Sequence, residues 1–136
     1  MRRLSVGLAA LLIAAPASAG HANPLLECAV MSGEAAQLNA CLSGQLEVSY
    51  GAMSQALALA RADAEALDRA AGGAEAVLGV EASQQAFEAY RDTACQTEAV
   101  FADSGARAAD VELACEISLT RARTDALVRL SVLRPD

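Results

Sequence analysis

Four cysteines and a short run of arginines beside carboxylates are the residues of this 136-residue chain with the types and spacing to do chemistry. Cys28, Cys41, Cys95 and Cys115 could serve as nucleophiles, metal ligands or disulfide partners, and the spacing decides among these. No Cys-x-x-Cys pair occurs, and the single histidine, His21, lies in the opening segment, far from every cysteine but Cys28. A thiolate nucleophile or a zinc site needs a closer basic or imidazole neighbour than that. The seventeen acidic residues fall into neither a His-Glu-x-x-His nor a calcium-loop spacing and read as the solvated faces of helices. No catalytic residue, metal ligand or cofactor is assigned, and the four cysteines are expected to pair.

Pairing requires an oxidising compartment, and the start of the chain supplies the address. Met1-Arg2-Arg3 is a basic opening, Leu4 to Ala15 an apolar run, and Ala17-Ser18-Ala19 a small-x-small cleavage signal. Together these describe a secretory signal peptide over residues 1–19, cut after Ala19 or, at a second site, after Ala22. The apolar run is too short to serve as a membrane span, and no later stretch is apolar enough to anchor the chain. Residues 20–27 are expected to form a flexible leader, and residues 28–134 a single helical domain in the periplasm or outside the cell. Four cysteines in an exported chain read as two disulfides, with three connectivities open by counting alone.

The elements that carry the cysteines narrow the choice. Asp103-Ser104-Gly105 is a turn signal midway between Cys95 and Cys115. If both arms are helical, each cysteine stands about ten residues, or roughly 15 Å, from the bend, so the two are level. A disulfide needs Cα atoms roughly 4.4 to 6.8 Å apart, and Ala94 and Ala114 leave room for helices to cross that closely. Cys28 is then left for Cys41. Thirteen residues of straight helix would separate these two by roughly 20 Å, so the chain must double back, and Ser32-Gly33 is the place to do it.

Periodicity predicts four helices and no sheet. A short first helix is expected from a Ser32 cap through Leu38, carrying Cys41 and interrupted by Gly33 and Gly44. A long second one bears the seam Leu46, Tyr50, Met53, Leu57, Ala60, Ala64 and Leu67, with Asp68 off it, and stops at Gly72-Gly73. A third runs over 75–102 with Val80, Phe87, Tyr90, Ala94 and Phe101 as its apolar seam and Gln84, Glu88, Arg91, Cys95 and Glu98 on a second stripe. A fourth, over 108–133, aligns Glu116, Thr120, Arg123 and Leu127, with Ile117 and Leu130 among its apolar cover. The expected fold is all-α: a small disulfide-stapled helical bundle with a long helical hairpin.

Gln84, Phe87, Tyr90, Arg91 and Asp92, followed by Cys95, a Ser104-Gly105 turn, Cys115, and then Thr120, Arg123 and Leu127, keep the order and spacing of a known pattern. The chain resembles the lysozyme inhibitor LprI-like family of small secreted bacterial proteins. Phe87 stands where that family has Trp, the turn is shorter than its Gly-Gly-Ser form, and Glu47 replaces an Asn three residues before Tyr50. The resemblance implies a binding protein with a protein partner, lysozyme among the candidates. The polar pattern residues have two readings. Arg91, Asp92 and Arg123 form a recognition patch for a carboxylate, glycan or partner side chain, or they hold the bundle together, with Arg91 paired to Glu88 and Arg123 reaching a facing helix or Thr120. Tyr50, Phe87 and Tyr90 are expected in the core.

Charge separates the classes of partner. Removing residues 1–19 takes Arg2 and Arg3 away, leaving eight Arg against seventeen Asp and Glu, a net charge of about −9 with no Lys at all. Such a surface argues against nucleic acid or anionic lipid and suits a cationic protein. Two functions follow: an inhibitor that presents the turn Asp103, Ser104, Gly105 and Arg107 to a cationic lysozyme, or a structural or adaptor module of the cell envelope. The oligomeric state is left open.

Overall fold

A computed structural model describes residues 22–32, 35–102 and 106–133; the proposed signal segment, His21 and the turn residues Asp103, Ser104 and Gly105 lie outside them. Four helices follow in order, α1 (Pro24–Ser32), α2 (Ala35–Ala71), α3 (Glu75–Phe101) and α4 (Ala106–Val132), with no strand among the described residues. Helices α2 and α3 are antiparallel, α3 and α4 are antiparallel, and α2 therefore runs alongside α4 in the same direction. Cross-contacts fix that arrangement: Asn39 meets Asp110, Tyr50 meets Glu116, and Arg123 meets Gln84.

The short helix expected from a Ser32 cap is not found: Ser32 is the last residue of α1, a helix over Pro24–Ser32 that periodicity did not predict, and Leu38 and Cys41 belong to α2. Asn23 caps α1, its side-chain oxygen accepting the Leu25 amide at 3.0 Å, and Pro24 occupies the first helical position, where no amide donor is needed. Residues 24–27, read as flexible leader, are thus the first turn of α1. They are held there by the fully buried Cys28 and by Glu27, which accepts two bonds from Arg121 of α4 at 3.0 and 3.1 Å.

Contrary to expectation, helix α2 does not break at Gly44. It runs unbroken through Gly44 and Gly51 for 37 residues, about 55 Å of helix. Each interior glycine costs roughly 1 kcal/mol against alanine, but the packing of Leu42, Met53, Ala56, Leu57, Ala60 and Ala64 along one face outweighs that. Its stop is as expected, with Gly72 in the left-handed region at φ 73° and its amide donating back to the Asp68 carbonyl at 2.8 Å.

Asp68, placed off the seam by periodicity, is buried. Ala74 offers α3 no side-chain cap, and the Asp68 carboxylate takes that role from the preceding helix, accepting the amides of Ala76 and Val77 at 2.9 Å each. One residue therefore closes α2 through its carbonyl and starts α3 through its carboxylate. The corresponding seam residue Leu67 is 42 % exposed instead.

Both disulfides form as expected. Cys28–Cys41 ties α1 to α2 with Cα atoms 5.7 Å apart, and Cys95–Cys115 ties α3 to α4 at 5.4 Å. The second bridge sets how α3 is rolled. Turning Cys95 toward α4 also turns in Val80, Gln84 and Arg91, which lie close to it around the helix, and leaves Tyr90 and Phe101 62 % and 85 % exposed. The expected α3 seam is therefore only half right: Phe87 and Ala94 are partly buried, whereas Tyr90 and Phe101 face solvent. On α4, Ile117 and Leu127 are fully buried and Leu130 is half exposed.

The core comes in two parts. Met53, Ala56, Leu57, Ala60, Ala64, Val80 and Leu127 form one cluster near the α2–α3 turn; Cys28, Leu42, Ala114 and Ile117 form another near α1. Between them, by register on all three long helices, lies a layer of polar side chains.

Candidate functional site

That layer gathers most of the pattern residues singled out above. Gln84 is nearly buried on α3; its amide donates to Glu88 at 3.0 Å, and its oxygen accepts from Arg123 Nε of α4 at 3.0 Å. Arg123 also donates to Ser83 Oγ at 2.9 Å, so it crosses to the facing helix as one of its two readings required. Arg91 does not pair with Glu88. Its side chain runs inward, and its Nε and Nη2 return to a single oxygen of Asp92 at 3.0 and 2.7 Å. Glu88 is taken by Gln84 instead.

The aromatic rings are stacked with the arginines. The Arg91 guanidinium lies 5.0 Å from the Tyr50 ring centre and 5.7 Å from that of Phe87, and Arg123 covers Phe87 at 5.7 Å. Planar guanidinium on aromatic faces suits a partly desolvated cation, because the ring quadrupole replaces some of the lost hydration. Burial works against the charge on Arg91, but the Asp92 hydrogen bond and the nearby Tyr50, Asp92 and Glu116 more than offset it, and its pKa is raised. Burial lowers that of Arg123, with Glu88 pulling the other way.

Tyr50 completes the layer by donating its hydroxyl to Glu116 of α4 at 3.2 Å. Burial raises its pKa above the ordinary value near 10; Arg91 opposes this and Glu116 adds to it. A raised folded-state pKa contributes stability that is fully present below the unfolded value and is lost as pH rises through the folded one. The protein is therefore expected to lose stability above about pH 10, and Tyr50→Phe to flatten that loss. Urea midpoints at pH 8, 9.5 and 11 measure this; equal slopes for both proteins would contradict it.

These groups satisfy one another and leave little to offer a ligand. Two guanidinium groups, three carboxylates, one amide and one phenol hold three helices in register, which favours the structural reading of Arg91, Asp92 and Arg123. Sequence periodicity missed Ser83, Tyr50–Glu116 and the Glu27–Arg121–Gln45 cluster, in which Arg121 also donates to Gln45 at 3.1 Å. The alignment of Glu116 with Thr120 and Arg123 on one stripe was the available hint for Glu116.

Among the grooves on the surface of the described residues, two stand out, and neither is lined by Gln84, Phe87, Arg91, Thr120 or Arg123. One of about 600 Å³ runs between α2 and α4, with Gly44, Val48 and Ala52 facing Arg121 and Asp125, and Met31 of α1 at its edge. The other, about 480 Å³, lies toward the α2–α3 turn, where Ala60, Ala64 and Gly79 meet Leu67, Leu130 and Leu133. Of the turn expected to meet a partner, Arg107 is exposed in the first turn of α4, and Val100 and Phe101 stand exposed on its α3 side. Among the described residues no group of three or more His, Cys, Asp or Glu could hold a metal ion, and no helix is long and apolar enough to cross a membrane.

Fold and site define a disulfide-braced, all-α bundle whose inner polar residues serve the scaffold. The chain belongs to the family described as lysozyme inhibitor LprI, which matches it over residues 27–127. That span runs from the last residue before Cys28 to the buried Leu127, and so covers both disulfides and the whole polar layer. Neither the curated proteins nor the solved structures gave a match.

Proposed function

We propose that this protein acts outside the cytoplasm as a binding inhibitor of a cationic lysozyme, without catalysis of its own. The family match over residues 27–127 carries the reading. Two disulfides support an oxidising compartment, and the signal-like opening of the chain supports export. An excess of carboxylates would steer the protein toward a cationic partner at low salt and less so at high salt. The inhibitory end is proposed to be the α3–α4 connection, with Arg107 on its α4 side.

Purified oxidised protein is expected to slow the lysis of peptidoglycan particles by an animal-type lysozyme at micromolar excess, and to do so less at 0.5 M salt. Undiminished lysis with several lysozymes would sink the proposal. The α2–α4 groove favours a second reading, an envelope adaptor that docks another protein between these helices. Light scattering and a periplasmic pull-down separate the two, since an adaptor forms a larger complex in the absence of any lysozyme.

A further inference from the structure

Single exposed apolar residues are ordinary on a small protein, but the end of the α3–α4 hairpin presents a pair that includes an aromatic. Val100 and Phe101, adjacent in the last turn of α3, are 82 % and 85 % exposed. They stand five and six residues beyond Cys95, within about 9 Å of helix from the bridge to α4. The bridge restrains the segment before any partner arrives, and a side chain already held in place loses less freedom on binding. Phe has few rotatable bonds and a large apolar face, so it suits an anchor that enters a pocket.

The surroundings of the pair select the partner. No basic residue lies in the last turn of α3, so the partial negative charge of the helix C-terminus there is not balanced from within the helix. Glu98 is exposed one turn before the end, and Glu112 is half-exposed on α4. Against these, Arg107 is the cation in the first turn of α4. An apolar pair within a mainly negative collar is complementary to a positively charged surface with an apolar cleft.

Resting on the reading under Proposed function, we infer that Phe101, seconded by Val100, is the anchor with which the hairpin end enters the cleft of a cationic lysozyme. Val132 of α4 and Leu133 just after it are also exposed but belong to the opposite end of the hairpin, and the exposed Val30 and Met31 lie on α1, outside it; neither pair carries an aromatic ring.

The test compares oxidised wild-type protein, Phe101→Ser and the equally exposed control Val132→Ser, using titration calorimetry against an animal-type lysozyme together with the lysis assay. Phe101→Ser is expected to weaken binding about thirtyfold or more, the loss that marks a central anchor, with unchanged helicity and thermal unfolding. Val132→Ser is expected to bind like wild type. Wild-type binding that Phe101→Ser retains in full overturns the anchor and leaves the inhibitor reading standing. Loss of affinity in Val132→Ser equal to that in Phe101→Ser also overturns it, because the effect would not be local. A wild-type protein that neither binds nor slows lysis removes both.

Discussion

Replacing Cys95 with Ser is expected to lower the unfolding free energy by roughly 3 kcal/mol, the chain-entropy value for a closed loop of about twenty residues. For a domain of this size that corresponds to a melting temperature lower by roughly 10–20 °C. The bridge joins residues 20 apart and is buried at Cys95, so its loss also removes packing where α3 and α4 cross. Cys28→Ser should cost less, since its loop spans 13 residues and α1 keeps the Glu27–Arg121 contact. Thermal unfolding followed by circular dichroism, with and without reductant, measures both. Identical curves for oxidised and reduced wild type would refute the role given to these bridges.

Leu127→Ala is expected to be at least as damaging, at about 3–5 kcal/mol, the upper part of the range for a buried leucine. Leu127 is fully buried in the cluster where Ala56, Ala60 and Ala64 line α2. Alanines have no side-chain rotamers with which to fill a void, so the cavity should persist. Thr120, two turns earlier and just as buried, makes the contrast. Its hydroxyl has no hydrogen-bond partner among the described residues, whereas Thr124 one turn on donates to the Thr120 carbonyl at 2.9 Å. Thr120→Val keeps the shape and removes an unsatisfied group, so it is expected to be neutral or to stabilise by up to about 1 kcal/mol. Urea unfolding of the two variants decides: a cost above about 2 kcal/mol for Thr120→Val would show that the hydroxyl has a partner when the protein is in water.

The motif residues therefore divide by role in a manner the motif did not announce. Leu127 and Cys95 are core, and Gln84, Arg91 and Arg123 hold three helices in register. Tyr90, which the pattern places beside them, faces solvent. If the family's shared residues chiefly maintain the scaffold, partner contacts should lie on positions that the pattern leaves open, Phe101 among them.

Much of the architecture was legible without coordinates. The Leu46-to-Ala64 repeat, the Gly72-Gly73 stop, the absence of strand-type alternation and the even spacing of Cys95 and Cys115 about Gly105 are local or one-dimensional signals. Helix period, backbone freedom at glycine and chain reach act on them directly, so the three long helices, the hairpin and the disulfide pairing could be read in advance. The existence of α1 and the continuity of α2 back through Gly44 to Ala35 could not. Each balances a small local cost against burial elsewhere, here at Cys28 and Leu42, and burial is not a property of a segment alone.

The sequence by itself determined that this is an all-α chain with paired cysteines and an acidic surface, because periodicity, spacing and charge are properties of the string. Tertiary structure alone decided the rest: which way α3 faces, and hence that Arg91 is buried between Tyr50 and Phe87 while Tyr90 and Phe101 are exposed. The apolar seam of α3 does not settle which way the helix faces; its rotation was settled by the Cys95–Cys115 bridge and by polar partners on two other helices, which bring Gln84 and Arg91 inward. Those partners are brought within reach only when the chain has folded.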